Sequence, residues 1–172
     1  ATPKDSTSQA VWSAAILFAL SHALAKAALF LAAGTILRVT GHARVRDLSG
    51  LSPRLPITFF AIGATSVTLM GLPPTGAFVA KWMMLRAAFA AGHIALAVVM
   101  VAGGLLAAGY MFRVMSAAFA KPQEDDDRTF DRAPRTLEYA TLVLSVASLL
   151  LGLAAGPMIE LIEIGSPWAA IG

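Results

Sequence analysis

Two lysines and a histidine stand inside apolar stretches: His22 and Lys26 within residues 11–37, and Lys81 within residues 55–90. On a helix the i, i+4 spacing of His22 and Lys26 puts them on one face, roughly 6 Å apart. A charged lysine at the centre of a bilayer costs about 2.5–3.5 kcal/mol on insertion scales, so an amine kept there is a candidate for function. An imidazole one turn away supplies a second titratable group, and two such neighbours can share a proton as a coupled pair. The chemistry that fits is proton transfer. Just before Lys81 the apolar run is interrupted by Gly71-Leu72-Pro73-Pro74-Thr75-Gly76. Proline lacks a backbone donor and clashes with the preceding turn, so no continuous helix passes through. Bare backbone at membrane depth is tolerated only inside protein or along a watery cavity, and the break therefore marks a path beside Lys81.

Blander readings compete at each position. A lysine can snorkel, its stem following lipid until the amine meets the headgroups. Lys26 is too central for that reach, whereas Lys81, roughly 10 Å from the midplane on a regular half-helix, is better placed for it. His22 alone reads as a histidine bonded within a helix interface; Lys26 one turn away gives it value. Met70, Met83, Met84, Phe59, Phe60 and Phe78 read as packing or lipid contact, not as a cofactor box, and the run Glu124–Asp127 reads as a solvated loop. His42 lies in a polar loop and His93 in a turn, and neither is assigned a role. Three histidines without nearby acidic or thiol partners give no metal site. No phosphate loop or nucleophile motif occurs, and no cofactor is expected.

The elements that position these groups follow from composition. The chain has 172 residues, of which 58% are hydrophobic and 13% charged, and its mean hydropathy is +0.73. Globular domains are roughly 45–50% apolar and about 25% charged, so this is membrane composition. Thirteen basic against ten acidic residues give a net charge of +3, too small and too scattered for a nucleic-acid partner. With no cysteine, the chain can hold neither a disulfide nor a thiolate cluster.

The sequence predicts an all-α membrane protein of about four transmembrane helices, the second discontinuous at residues 71–76. Residues 1–10 form an N-terminal edge, which has no initiator Met and no signal-peptide pattern and is expected to be cut or processed. Residues 11–120 hold three crossings: 11–37, then 55–90 with the break, then 94–120. In the last of these Gly103 and Ala107 form a small-xxx-small pair suited to close helix contact. Residues 121–136 form a polar loop, 137–158 the last crossing, closed by Gly156-Pro157, and 159–172 an interfacial tail. Nine of the thirteen basic residues (Arg38, Arg44, Arg46, Arg54, Arg113, Lys121, Arg128, Arg132 and Arg135) fall on one side of this arrangement. The positive-inside rule makes that side cytoplasmic and puts both chain ends outside. Every Asp and Glu lies in a loop, a tail or near a helix end, leaving no buried carboxylate to neutralise either lysine.

Two motifs in this order, His22-Ala-Leu-Ala-Lys26-Ala-Ala-Leu-Phe30 and Gly71-Leu-Pro-Pro-Thr-Gly-Ala-Phe-Val-Ala-Lys81-Trp82, resemble the antiporter-like, proton-conducting membrane subunits. These are shared by respiratory complex I, Mrp-type Na⁺/H⁺ antiporters and membrane-bound hydrogenases. The resemblance covers nearly the whole chain and is weakest after Lys121. It implies the last four helices of a fourteen-helix fold built on inverted repeats, each with a discontinuous helix. It also implies that Lys26 and His22 belong to a central hydrophilic axis and that Lys81 is the outlet lysine of the second half-channel. The family's other lysine and its glutamate belong to helices outside this sequence. Two positions depart from the pattern. Phe18 stands where some members have another histidine, and Ala77 precedes Phe78 where glycine is usual, with Gly76 one place earlier.

The function implied is proton translocation through a Lys/His/water relay. It would operate within a multisubunit NADH dehydrogenase-like or Mrp-type complex, in a bacterial inner membrane. The partners implied are lipid, H⁺, Na⁺ for an antiporter, and the membrane subunits supplying the remaining helices. The chain has no active site of its own. The alternative is a non-conducting structural fragment that packs against other subunits.

Overall fold

The computed structural model describes residues 3–41, 44–121 and 132–166, except for the side chains of 3–6, 46 and 47. His42, residues 122–131 of the polar loop with its acidic run, and residues 167–172 of the tail lie outside the described residues. So do residues 1 and 2. Six α-helices and one short 3₁₀ turn, Val45–Leu48, make up the described structure, and no strand occurs in it.

Helix α1, Pro3–Thr40, has 38 residues and is about 57 Å long at the usual rise, exceeding the predicted 11–37 at both ends. Proline suits its first turn, where the missing N–H would find no partner. Gly41, at φ +76°, closes the other end by donating to the Leu37 carbonyl at 2.8 Å. Its buried residues, Leu17, Ser21, Ala25, Ala28, Ala32 and Thr35, recur every three or four positions. That stripe of mostly small side chains lets α5, α3 and α2 pack closely against it. At one end Ile36, Val39, Leu48, Leu51, Leu55, Phe59 and Ile62 form the largest apolar cluster.

Helices α2, Pro56–Met70, and α3, Gly76–Ala90, have 15 residues each. At about 22 Å neither crosses a ~30 Å hydrocarbon layer alone. The break between them is built, not frayed. Gly71 takes φ +74°, and the N–H groups of Gly71 and Leu72 donate to the carbonyls of Thr68 and Val67, both at 3.0 Å. This is a Schellman closure, which requires a left-handed residue that glycine adopts without a Cβ penalty. Pro73 and Pro74 are joined by a cis bond. Thr75 then caps α3, its Oγ1 accepting the Phe78 N–H at 3.2 Å. The predicted break at residues 71–76 is observed at 71–75, with Gly76 the first residue of α3.

Helix α4, Ile94–Phe119, and α1 are each long and apolar enough to cross a membrane. The end of the chain differs from expectation. Instead of one helix over 137–158, α5, Arg135–Leu150, and α6, Ala155–Ile164, meet at 82°. Gly156-Pro157 does not close a helix but opens one. A helical Pro157 would clash with the carbonyl four residues earlier, at Leu153, so the chain breaks there and Pro157 sits in the first turn of α6, where it is tolerated. Taken as one bent span, α5 and α6 bring the membrane-crossing count to three, with the broken α2–α3 pair beside them. The two breaks nest. Gly152 lies against the backbone of Pro74 and Thr75, and a Cβ there would overlap the Pro74 carbonyl.

Candidate functional site

Lys81 is in the second turn of α3, and its side chain turns back toward the break rather than outward. The amine donates to the Met70 carbonyl at 3.1 Å. Met70 ends α2, where carbonyls lose their intrahelical partners and the helix dipole is negative, so a cation is favoured there. Backbone thus does part of what a carboxylate would have done. Two glycines clear the space. A Cβ on Gly71 would come within 2.7 Å of the Lys81 side chain. One on Gly104 of α4 would lie 3.3 Å from both the amine and the Met70 carbonyl oxygen.

Phe18 supplies a third neighbour. The Lys81 amine stands 6.0 Å from the centre of its ring, within cation–π range. The same ring stacks on His22, with centroids 5.8 Å apart and planes inclined by 23°. Phe18 therefore neighbours both the histidine and the lysine, one turn before His22 on α1.

His22, Lys26 and Lys81 all line one open-sided cavity of about 760 Å³ between α1, α2, α3 and α4. Phe18 is part of its wall, as are Met84, Gly103 and Tyr110. Lys26 is exposed on the surface of this chain, whereas His22 and Lys81 are half-buried. A second cavity of about 290 Å³ lies beside the break, and Lys81 lines it too, along with Gly71 and Gly104. Lys81 thus stands where two cavities meet. Within this arrangement Pro73 and Pro74 are exposed, whereas Thr75 and Gly76 are buried. Gly76 lies against Ser21 of α1, which a Cβ would strike.

The Met70 carbonyl and Gly104 were not legible as site residues, and Phe18 was legible only as the position where the resemblance expects a histidine. A left-handed cap at Gly71 does imply a free carbonyl close by, and a lysine eleven residues on can reach back to it. Nothing in the linear sequence pairs Gly104 with Lys81. The small-xxx-small reading directed attention to Gly103 instead, but a Cβ at Gly103 would have no neighbour within 4 Å.

A discontinuous helix with an ionisable side chain at the break and a cavity beside it is the architecture of membrane transport proteins that bind ions at broken helices. Residues 6–107 match the family described as NADH:quinone oxidoreductase/Mrp antiporter, TM. The match covers more than half of the chain, and the chain belongs to that family. It is 34% identical over 167 residues to NADH-quinone oxidoreductase subunit N of Desulforudis audaxviator, a match spanning 90% of this chain and 33% of that protein. It is 29% identical over 139 residues to a Na⁺/H⁺ antiporter subunit of Bacillus subtilis, spanning 81% of this chain and 28% of that one. A chain in the structure of the Mrp complex from Dietzia sp. DQ12-45-1b superposes with a TM-score of 0.77 at 28% identity, over 88% of this chain and 36% of that chain. The chain spans about a third of the length of these relatives.

Proposed function

We propose that this chain is the proton-conducting C-terminal part of an antiporter-like subunit, acting within a multisubunit membrane complex. The observation that carries this reading is the placement of His22, Lys26 and Lys81 on one cavity wall, with the Lys81 amine seated on the open carbonyl end of a broken helix. A proton held by the Lys26–His22 pair passes through water in the cavity, past the Phe18 ring, to Lys81. From Lys81 it leaves through the second cavity toward the exterior. Redox chemistry or cation exchange elsewhere in the complex supplies the drive by shifting the field around the amines.

On this reading the exposed Lys26 faces helices of the preceding half of a longer subunit. Those helices, lipid and H⁺ are the partners, with Na⁺ the coupling ion in an antiporter complex. The loop of Arg38 to Arg54 faces the cytoplasm of a bacterial cell, and both ends of the chain face outward.

The test uses the complete complex in membrane vesicles, with Lys26→Ala and Lys81→Ala introduced singly. Both variants are expected to assemble normally and to lose proton translocation. Unchanged flux in both would overturn the relay and favour a structural fragment. Sodium-dependent flux without an electron donor would place the chain in an antiporter.

A further inference from the structure

Away from the cavity, α2 meets α5 along a strip of hydroxyl side chains. The Thr58 hydroxyl donates to Glu138 Oε1 at 3.1 Å, and two to three turns further on Thr68 and Ser148 share a 3.1 Å hydrogen bond. Both pairs are separated by 80 residues, so the two helices run parallel in constant register. The same register sets Thr65 opposite Ser145. Thr58, Thr65, Thr68, Thr141, Ser145 and Ser148 are all at most 1% exposed.

The α5 hydroxyls donate to carbonyls of their own helix: Thr141 to Leu137 at 2.7 Å, Ser145 to Leu142 at 2.8 Å and Ser148 to Ser145 at 2.8 Å. Their oxygens keep acceptor capacity. Thr65 is different. Its hydroxyl is fully buried and has no hydrogen-bond partner. Hydroxyls serving only as adhesive between helices would be paired, as Thr68 and Ser148 are, because an unpartnered buried donor is destabilising. A bridging water satisfies such a group where other polar oxygens are near, and the register brings Ser145 level with Thr65, with the Thr68–Ser148 pair one turn away.

The strip also leads somewhere. Its outer end is the half-buried Glu138 carboxylate, and its inner end is the pair of nested breaks, where Gly152 touches the Pro74–Thr75 backbone. There Gly76 meets Ser21 of α1, a second fully buried hydroxyl without a partner, one residue before His22.

We propose that the α2–α5 interface binds ordered water at Thr65 and Ser145 and forms a second proton path, leading from Glu138 to the break beside Lys81. This deepens the relay reading and rests on it. A proton taken up by the Glu138 carboxylate moves inward as each oxygen accepts one proton and releases the one it held to the next. No bond other than O–H changes, and no electron moves.

The experiment uses the full subunit in its assembled complex, reconstituted in proteoliposomes, with Lys81→Ala as reference. Thr65→Val keeps the side-chain shape and removes only the hydroxyl, and Glu138→Gln removes the proton acceptor. Each is expected to lower proton flux by roughly tenfold or more with assembly intact. Water access is read separately. The chain has no cysteine, so Thr65→Cys places a single thiol in it. That thiol is expected to react with a small water-soluble methanethiosulfonate much faster than one at Leu51→Cys, which is equally buried but lies in the largest apolar cluster. Normal flux in Thr65→Val and Glu138→Gln, with flux lost in Lys81→Ala, overturns the second path and leaves the relay standing. Normal flux in all three overturns both. Equal labelling of the two thiols overturns the water site.

Discussion

The Lys81 amine, carried by α3, donates a 3.1 Å hydrogen bond back across the helix break to the carbonyl of Met70, the last residue of α2. The two half-helices are joined by a polar contact as well as by the chain. Among the described residues no carboxylate pairs with this amine, which rests on the negative end of a helix and near an aromatic face.

Gly104 keeps that contact possible. In Gly104→Ala the new methyl group, 3.3 Å from both the amine and the Met70 oxygen, tightens the space they share. A charge-assisted hydrogen bond is worth about 1.5–3 kcal/mol, so its weakening is expected to lower proton flux by roughly ten- to a hundredfold. Vesicle flux assays on Gly104→Ala and the bulkier Gly104→Val should show a graded loss. Full activity in Gly104→Val would show that the contact is dispensable.

Gly152 governs whether the two breaks fit. In Gly152→Ala the Cβ overlaps the Pro74 carbonyl, and because the obstacle is backbone, no rotamer relieves it. Overpacking of a core costs about 1–3 kcal/mol and occasionally more. The variant is expected to be recovered in low yield and to melt several degrees lower in detergent, measured by thermal unfolding of the purified complex. Gly103→Ala, at a position with open space, should melt like the parent.

Phe18 neighbours both His22 and Lys81, and its face is turned toward the amine. Phe18→Leu keeps apolar bulk and removes the aromatic face. At about 0.5–1 kcal/mol for such a cation–π contact, flux is expected to fall by roughly two- to fivefold. An unchanged rate would show that the ring acts by bulk alone. Phe18→His, which places a hydrogen-bonding group beside both, is expected to raise flux in the same assay.

Much of the framework was legible because it depends on local covalent constraints. Glycine and two prolines at 71–74 forbid a helix whatever surrounds them, and the break is found at residues 71–75. The apolar lengths of 11–37 and 94–120 gave two long helices, since lipid and protein interiors alike demand internally satisfied backbone. The second break was missed because Gly156-Pro157 looks like a stop signal. The ring's clash acts four residues upstream, and only the tertiary structure shows Gly152 meeting the Pro74 backbone in that gap.

The sequence by itself determined that this is a helical membrane chain with one forced break, and that three titratable side chains lie inside apolar segments. Periodicity and residue chemistry act over one or two turns, and that range sufficed. Only the tertiary structure decided what those side chains meet: a carbonyl eleven residues back, a glycine on another helix, and an aromatic ring from α1. Such pairings depend on how helices cross and rotate against each other. That geometry is set by packing among residues far apart in the chain, and no local pattern encodes it.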